Sequence, residues 1–249
     1  MPSAAELKST YYDRGEFDNC LDKVEQELNA LSDHPEKSEL LALAGWCKYR
    51  QAKHEEARND FLAAGLVRFA REGLAYLAVY IDHDDDAFQA LAQELGDSVN
   101  IQNARVIRAR EKRDGVELLT HEQVLEIIAR FRSDDGVEVA NLYHNAGRFF
   151  LHKSRGGGDL VISLGLFEMA RVRYGIDRNW HHRGAIHYWR SRVLEDLLDR
   201  RAALEAARDS LYCWTQQVIL DPQTKRHQEY QSNAVERIRV LVAALSKRA

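Results

Sequence analysis

Residues 40–64, LLALAGWCKYRQAKHEEARNDFLAA, decide how the rest of the chain is read. Leu40, Leu41, Ala44, Cys47 and Tyr49 recur at helical spacing, so the stretch opens as an amphipathic helix. Small Gly45 is followed by Ala57 twelve residues on, Phe61 four beyond that and Ala64 three beyond that, while Leu41 supplies the large residue of the first helix. Small residues let two helices cross closely, and large ones fill the space between them. The segment therefore predicts two antiparallel helices joined by a short turn.

Working outward, the same ladder returns in less regular form. Lys8, Cys20, Val24 and Glu27 form a copy before it, with Gly15-Glu16-Phe17 at the turn; Ala75, Ala87, Leu91 and Glu94 form one after it. Gly147, Ser163, Phe167 and Ala170 keep the ladder if Gly156-Gly157-Gly158 belongs to a turn insertion, and Ser191, Ala203, Ala207 and Ser210 make the last copy. Residues 98–135 fit no clean repeat, although Val124, Ile127, Ile128 and Phe131 are again helically spaced. The ladder resembles the tetratricopeptide repeat (TPR), over about two thirds of the chain and most strongly in residues 40–64. That resemblance implies an all-α, right-handed solenoid of antiparallel helix pairs with a non-repeat helical insert. TPR-like pairs are expected in residues 1–113. Two further divergent pairs and a final helix are expected in residues 114–249. An irregular all-α bundle is the competing reading.

Composition agrees with a helical globular chain. The 249 residues include 45% hydrophobic and 30% charged residues but only three prolines, Pro2, Pro35 and Pro222, so little interrupts helix formation. Helix boundaries are marked by Asp33 with Glu36 around Pro35, by Thr120 with Gln123, and by breaks at Gly96-Asp97, Asp114-Gly115, Asp135-Gly136 and Asp221-Pro222. Apolar runs such as Leu40–Ala44 and Leu241–Leu245 are far shorter than the ~20 residues a membrane span needs. The first residues carry no apolar stretch that would serve as a secretion signal, and three cysteines build no disulfide framework, so a cytoplasmic location is expected. A net charge of −4 and a pI near 6.2 argue against bulk attraction to nucleic acid or membrane.

In a TPR-like solenoid the first helix of each pair lines the concave face. The resemblance thus implies groove residues Trp46, Tyr49 and Arg50; Phe69, Glu72, Tyr76 and Tyr80; Asn141, His144, Arg148 and His152; and Tyr188, Arg192 and Glu195. Aromatic and Arg side chains are frequent interface anchors, although Trp46, Tyr76 and Tyr80 could equally pack between helices. The carboxylate clamp by which some TPR domains hold a chaperone tail is missing, since its positions carry Ser9, Ala42, Phe69 and Gly73.

The densest polar cluster runs from Arg171 to Arg192, where six arginines face one acid, Asp177. Arg178, Trp180, His181, His182, Arg183 and His187 lie within it, and Trp180 and Trp189 add aromatic surface. Cations crowded at a helix N-terminus are unfavourable unless an anion sits there. The competing account is internal pairing of Arg183, Arg190 and Arg192 with acids such as Glu168, Glu195 and Asp196. Arg148 and His152 are expected beside Arg192, because first helices of successive pairs lie side by side.

Metal and catalytic patterns are thin. His181 and His182 are adjacent and point about 100° apart on a helix, and the spacing from His182 to His187 is poor for a shared metal. Gly156-Gly157-Gly158 lacks the lysine of a phosphate loop and reads as a flexible turn, and no nucleophile elbow occurs. The expectation is a non-enzymatic adaptor without cofactor or metal, holding a protein or peptide segment in its groove. Its partner would carry acidic or anionic groups, membrane would play no part, nucleic acid is disfavoured, and homo-oligomers stay open. The alternative is a phosphate-bearing ligand, a nucleotide or single-stranded RNA, held by residues 171–192.

Overall fold

The computed structural model describes residues 2–30, 36–111, 119–134, 136–174 and 180–246. Every regular element among them is helical. The expected cap at Asp33 and Pro35, the breaks at Asp114-Gly115 and Asp135, and Arg178 with Asp177 lie outside the described residues. Contacts divide the chain into two compact units, residues 1–104 with 223–225, and residues 105–222 with 226–249.

The first unit contains α1 (Ala4–Thr10), α2 (Phe17–Ala30), α3 (Lys37–Arg50), α4 (His54–Ala64), α5 (Arg68–Leu77), α6 (Asp85–Leu95) and the start of α7 (Val99–Arg110). Local signals set several boundaries. Ser3 and Glu6 form a capping box at α1, and Asp84 accepts from the Ala87 amide at α6. Gly15 takes φ 80° in the turn before α2, a left-handed conformation that glycine adopts without a Cβ clash. The turn Gln51–Lys53 is three residues long, so α3 and α4 pack antiparallel. Their crossing is as close as the ladder requires. A Cβ on Gly45 would stand 2.6 Å from the Phe61 ring and 3.2 Å from the Ala57 carbonyl. Gly73 of α5 approaches the same ring from the next pair, with a notional Cβ at 2.3 Å. Helix α3 touches α1, α2, α4 and α5.

The third copy of the ladder is displaced by one residue. A π-helical turn at Ala78–Asp82 extends α5, and His83 is left-handed at φ 56°. A π turn carries one extra residue per turn, which rotates the chain beyond it. Phe88 and Ala92 are therefore buried, while Ala87 and Leu91 are only partly covered.

The second unit contains α8 (His121–Arg130), α9 (Val137–His152), α10 (Gly157–Arg173), α11 (Trp180–Asp196), α12 (Arg200–Leu220) and α13 (Lys225–Ser246). Thr120 and Gln123 form the expected capping box. Gly157 and Gly158 are a correction: they form the first turn of α10, and the turn before it is Lys153–Gly156. Asp159 steadies that start by accepting from the Arg155 amide at 2.6 Å. Helix α9 packs on α10, α11 on α12, and α11 also touches α9 and α10.

Both of these pairs repeat one crossing device. Ser163 Oγ donates to the Gly147 carbonyl at 2.7 Å beneath Phe167, and Ser210 Oγ donates to the Gly184 carbonyl at 2.8 Å beneath Trp214. A Cβ on Gly147 or Gly184 would stand 2.9 or 2.7 Å from those rings. In α11 and α12 the close crossing thus lies two turns beyond the Ser191–Ala203 step of the ladder. Ser191 serves Arg237 of α13 instead, and Ala203 and Ala207 pack with Leu241.

Candidate functional site

The expected groove of the first unit is filled by its own rings. Trp46 is 3% exposed, its Nε1 donates to the Phe69 carbonyl at 2.9 Å, and its ring meets those of Tyr49, Phe61, Phe69 and Tyr76 at 5.1–5.7 Å. Tyr76 is also buried and accepts from Asn103 at 2.6 Å. Both residues are therefore core: Phe61 of α4 and Phe69 of α5 close over Trp46, and Trp46, Tyr49 and Tyr80 surround Tyr76. Tyr80 stacks on Tyr76 and stays half-buried. Arg50 lies over Tyr12 and Phe17 and donates to the Tyr12 hydroxyl at 3.2 Å.

The basic segment has a different fate. Helix α11 sends its cations to two opposite sides, since Arg183, His187 and Arg190 follow an i, i+4, i+7 stripe while Trp189 and Arg192 fall on the far one. On the side facing α9, Arg148 lies over the Trp189 ring at 4.4 Å and His152 meets the same ring edge-on at 5.5 Å. Tyr188 packs edge-on to Trp189, and Arg192 is exposed. Partial burial, then the charges of Arg110, Arg148, Arg192 and Lys153, push His152 down to about 4, so it is neutral at pH 7. Arg148 and His152 thus meet at Trp189, and the charge of Arg192, three residues on, is felt at His152. Arg110, from the non-repeat α7, escapes sequence reasoning because nothing in its surroundings repeats; it is 8% exposed and bonds Asn145 at 3.1 Å and Glu111 at 3.0 Å.

On the other side, α10, α11 and α12 enclose a cleft of about 370 Å³ lined by Glu168, Arg171, Arg183, His187, Arg190, Asp209, Tyr212 and Cys213. Arg171 is held by Glu168, with 3.0 Å from its Nε to each carboxylate oxygen. Arg183 rests over Trp180 at 5.0 Å. Burial, together with the charges of Arg190, Arg183 and Arg171, takes His187 down to about 4 against the pull of Asp209. Burial raises the Cys213 thiol to about 11, so it stays protonated and unreactive. Asp209 and Tyr212 stand three apart on α12, a spacing that becomes informative only when α11 is known to cover it.

Internal pairing takes two of the expected acids to other arginines. Glu168 goes to Arg171, and Glu195 lies 2.5 Å from buried Arg237. Arg173 donates to the Arg132 and Asp134 carbonyls and covers Tyr143.

His181 and His182 turn inward. His182 is buried and stacks on Tyr174 at 4.1 Å. His181 Nδ1 lies 3.2 Å from His227 Nε2, and its amide donates to Gln217. Both anchor the first turn of α11 to its neighbours, which removes His182 from a ligand-facing role. His144 packs edge-on against Phe167. Among the described residues no group of three or more His, Cys, Asp or Glu side chains is placed to hold a metal ion, and no helix is long and apolar enough to cross a membrane.

No protein-family model matches the chain, and no curated protein or solved structure is significantly similar to it.

Proposed function

We propose that the protein is a non-enzymatic, TPR-like interaction module of the cytoplasm that binds an acidic segment of a partner protein along α9 and α11. The observation that carries this reading is the meeting of Arg148, His152, Trp189 and Arg192 across two successive first helices. Helix order supports it, since α1 touches α3, α3 touches α5, and α9 touches α11, as stacked repeats require. An arginine laid on an indole is held in place, and Trp189 and exposed Arg192 flank it on α11, so the surface is pre-ordered and the ordering cost of binding is lowered. The same geometry counts against a nucleobase reader: a guanidinium covers a face of each of Trp180 and Trp189, where a base would stack.

Fluorescence anisotropy with a labelled decaglutamate peptide tests the proposal. Binding is expected at low salt and should weaken as salt rises. Arg148→Ala and Arg192→Ala should each weaken it by about 1–3 kcal/mol, the worth of a charged hydrogen bond. Exposed Arg192 should leave the melting temperature unchanged. Equal affinity for decaglutamate and an uncharged Gly/Ser peptide, or tighter binding of oligouridylate, overturns the reading.

A further inference from the structure

The α10–α12 cleft lies on the opposite face of α11 from the proposed partner surface and has its own chemistry. We propose that it is an oxyanion site, in which Arg183, His187 and Arg190 take the phosphate group of a phosphate monoester.

Buried, unmatched nitrogens define the site. Arg190 Nε and His187 Nδ1 are both buried and have no hydrogen-bond partner among the described residues. Such groups are costly to leave unmatched, and an oxyanion matches them with acceptor oxygens. Arg183, His187 and Arg190 point the same way because they are four and three residues apart on one helix. With Nδ1 protonated, His187 joins the guanidinium groups on this stripe in a donor set that suits the terminal oxygens of a tetrahedral phosphate better than the two of a carboxylate. Arg183 is already positioned by the Trp180 ring.

Charge in the cleft favours an anion. Among the described residues that line it, three arginines stand against Glu168 and Asp209, and Glu168 is engaged by Arg171. Asp209 is 63% exposed and its Oδ2 is 3.7 Å from His187 Nδ1, too far for a hydrogen bond. It sits at the rim and opposes an anion, so its removal should help binding. The volume of about 370 Å³ is at the small end for ligand sites, which suits a phosphate with a short carrier. The carrier is either a small metabolite or a phosphorylated side chain of a protein.

Proton linkage supplies a signature that simple charge attraction lacks. Burial, then the positive field of the arginines, depresses His187; a bound dianion neutralises that field, so binding should raise its pKa and draw in a proton as the pH falls toward 4. The other groups facing it are Glu168, Asp209 and the protonated thiol of Cys213.

The test is an NMR pH titration of the His187 ring in the full chain, with and without sulfate, chosen because it stays dianionic over the range. Sulfate should raise the His187 pKa by about one unit or more. Asp209→Asn should tighten sulfate binding several-fold, and Arg190→Lys, which keeps the charge but loses the fork, should weaken it about ten-fold. A melting curve checks that each variant folds. Inorganic phosphate, glycerol 3-phosphate and a phosphoserine peptide then distinguish the carriers, whichever binds tightest naming the source. An unmoved His187 at about 10 mM sulfate, or a shift that persists in Arg190→Lys and Arg183→Ala, overturns the proposal. Decaglutamate binding on the α9 side is unaffected by Arg190→Lys, so the two proposals fail separately.

Discussion

Trp46 and Trp189 occupy similar places, each on an α-helix that packs against its successor in the chain, and they end in opposite surroundings. Trp46 is enclosed by four rings and spends its N–H on a backbone carbonyl. Trp189 is half-buried and carries Arg148 on its face and His152 on its edge. The difference comes from what the adjoining helices offer. Phe61, Phe69 and Tyr76 close over Trp46, whereas α9 brings a guanidinium and an imidazole to Trp189. One ring has become core and the other a half-buried platform on which a cation rests.

The largest expected effect separates these two rings directly. Trp46→Ala should cost about 3–5 kcal/mol in urea unfolding, because it empties a packed aromatic cluster. Trp189→Ala should cost far less and instead weaken decaglutamate binding; equal losses of stability would break the comparison.

Within the second unit, the same contrast holds between buried and exposed arginines. Arg237 is 8% exposed and bonds Glu195 and both the hydroxyl and the carbonyl of Ser191. Arg237→Ala should destabilise by about 3 kcal/mol, since it strands a carboxylate and a carbonyl. Arg192→Ala should shift stability by no more than ~1 kcal/mol.

Acid should weaken the cationic region through His187. The unfolded chain takes up its proton as the pH falls through about 6.5, while the folded chain does so only near 4. His187 therefore costs nothing above pH 6.5, and its cost grows between 6.5 and 4, to on the order of 3 kcal/mol. His187→Gln should flatten that part of the stability–pH curve, and an unchanged slope would show the group is not held neutral.

The smallest effects come from glycines. Gly184→Ala should cost about 1–2 kcal/mol by pressing a methyl into the Trp214 ring. Gly165→Ala, in the exposed middle of α10 with open space around it, should stabilise by about 0.5–1 kcal/mol, and calorimetry resolves the sign.

Much of the helix arrangement is legible before any coordinates. Gly45 against Phe61, Gly147 against Phe167 with Ser163, and the Thr120 cap all stand where their spacing puts them. The one-residue slip at Phe88 is not legible, because a π turn leaves no compositional mark at Ala78–Asp82. Gly184 with Ser210 is missed for another reason: α11 and α12 are longer than a repeat, so the crossing moves away from the turn. At the site, the approach of Arg148 and His152 to α11 agrees with the spacing of the ladder, while Arg110 and Asp209 leave no such mark.

The sequence by itself determined that this chain is helical, where most of its helices begin, and which residues share a helix face, because periodicity and capping are local. Only the tertiary structure decided which neighbour covers each face. That choice buried Trp46 and Tyr76, turned His181 and His182 inward, and divided the arginines of α11 between two opposite sides. A helix carries its own face as a property of spacing, but what packs upon that face is set by residues far away along the chain.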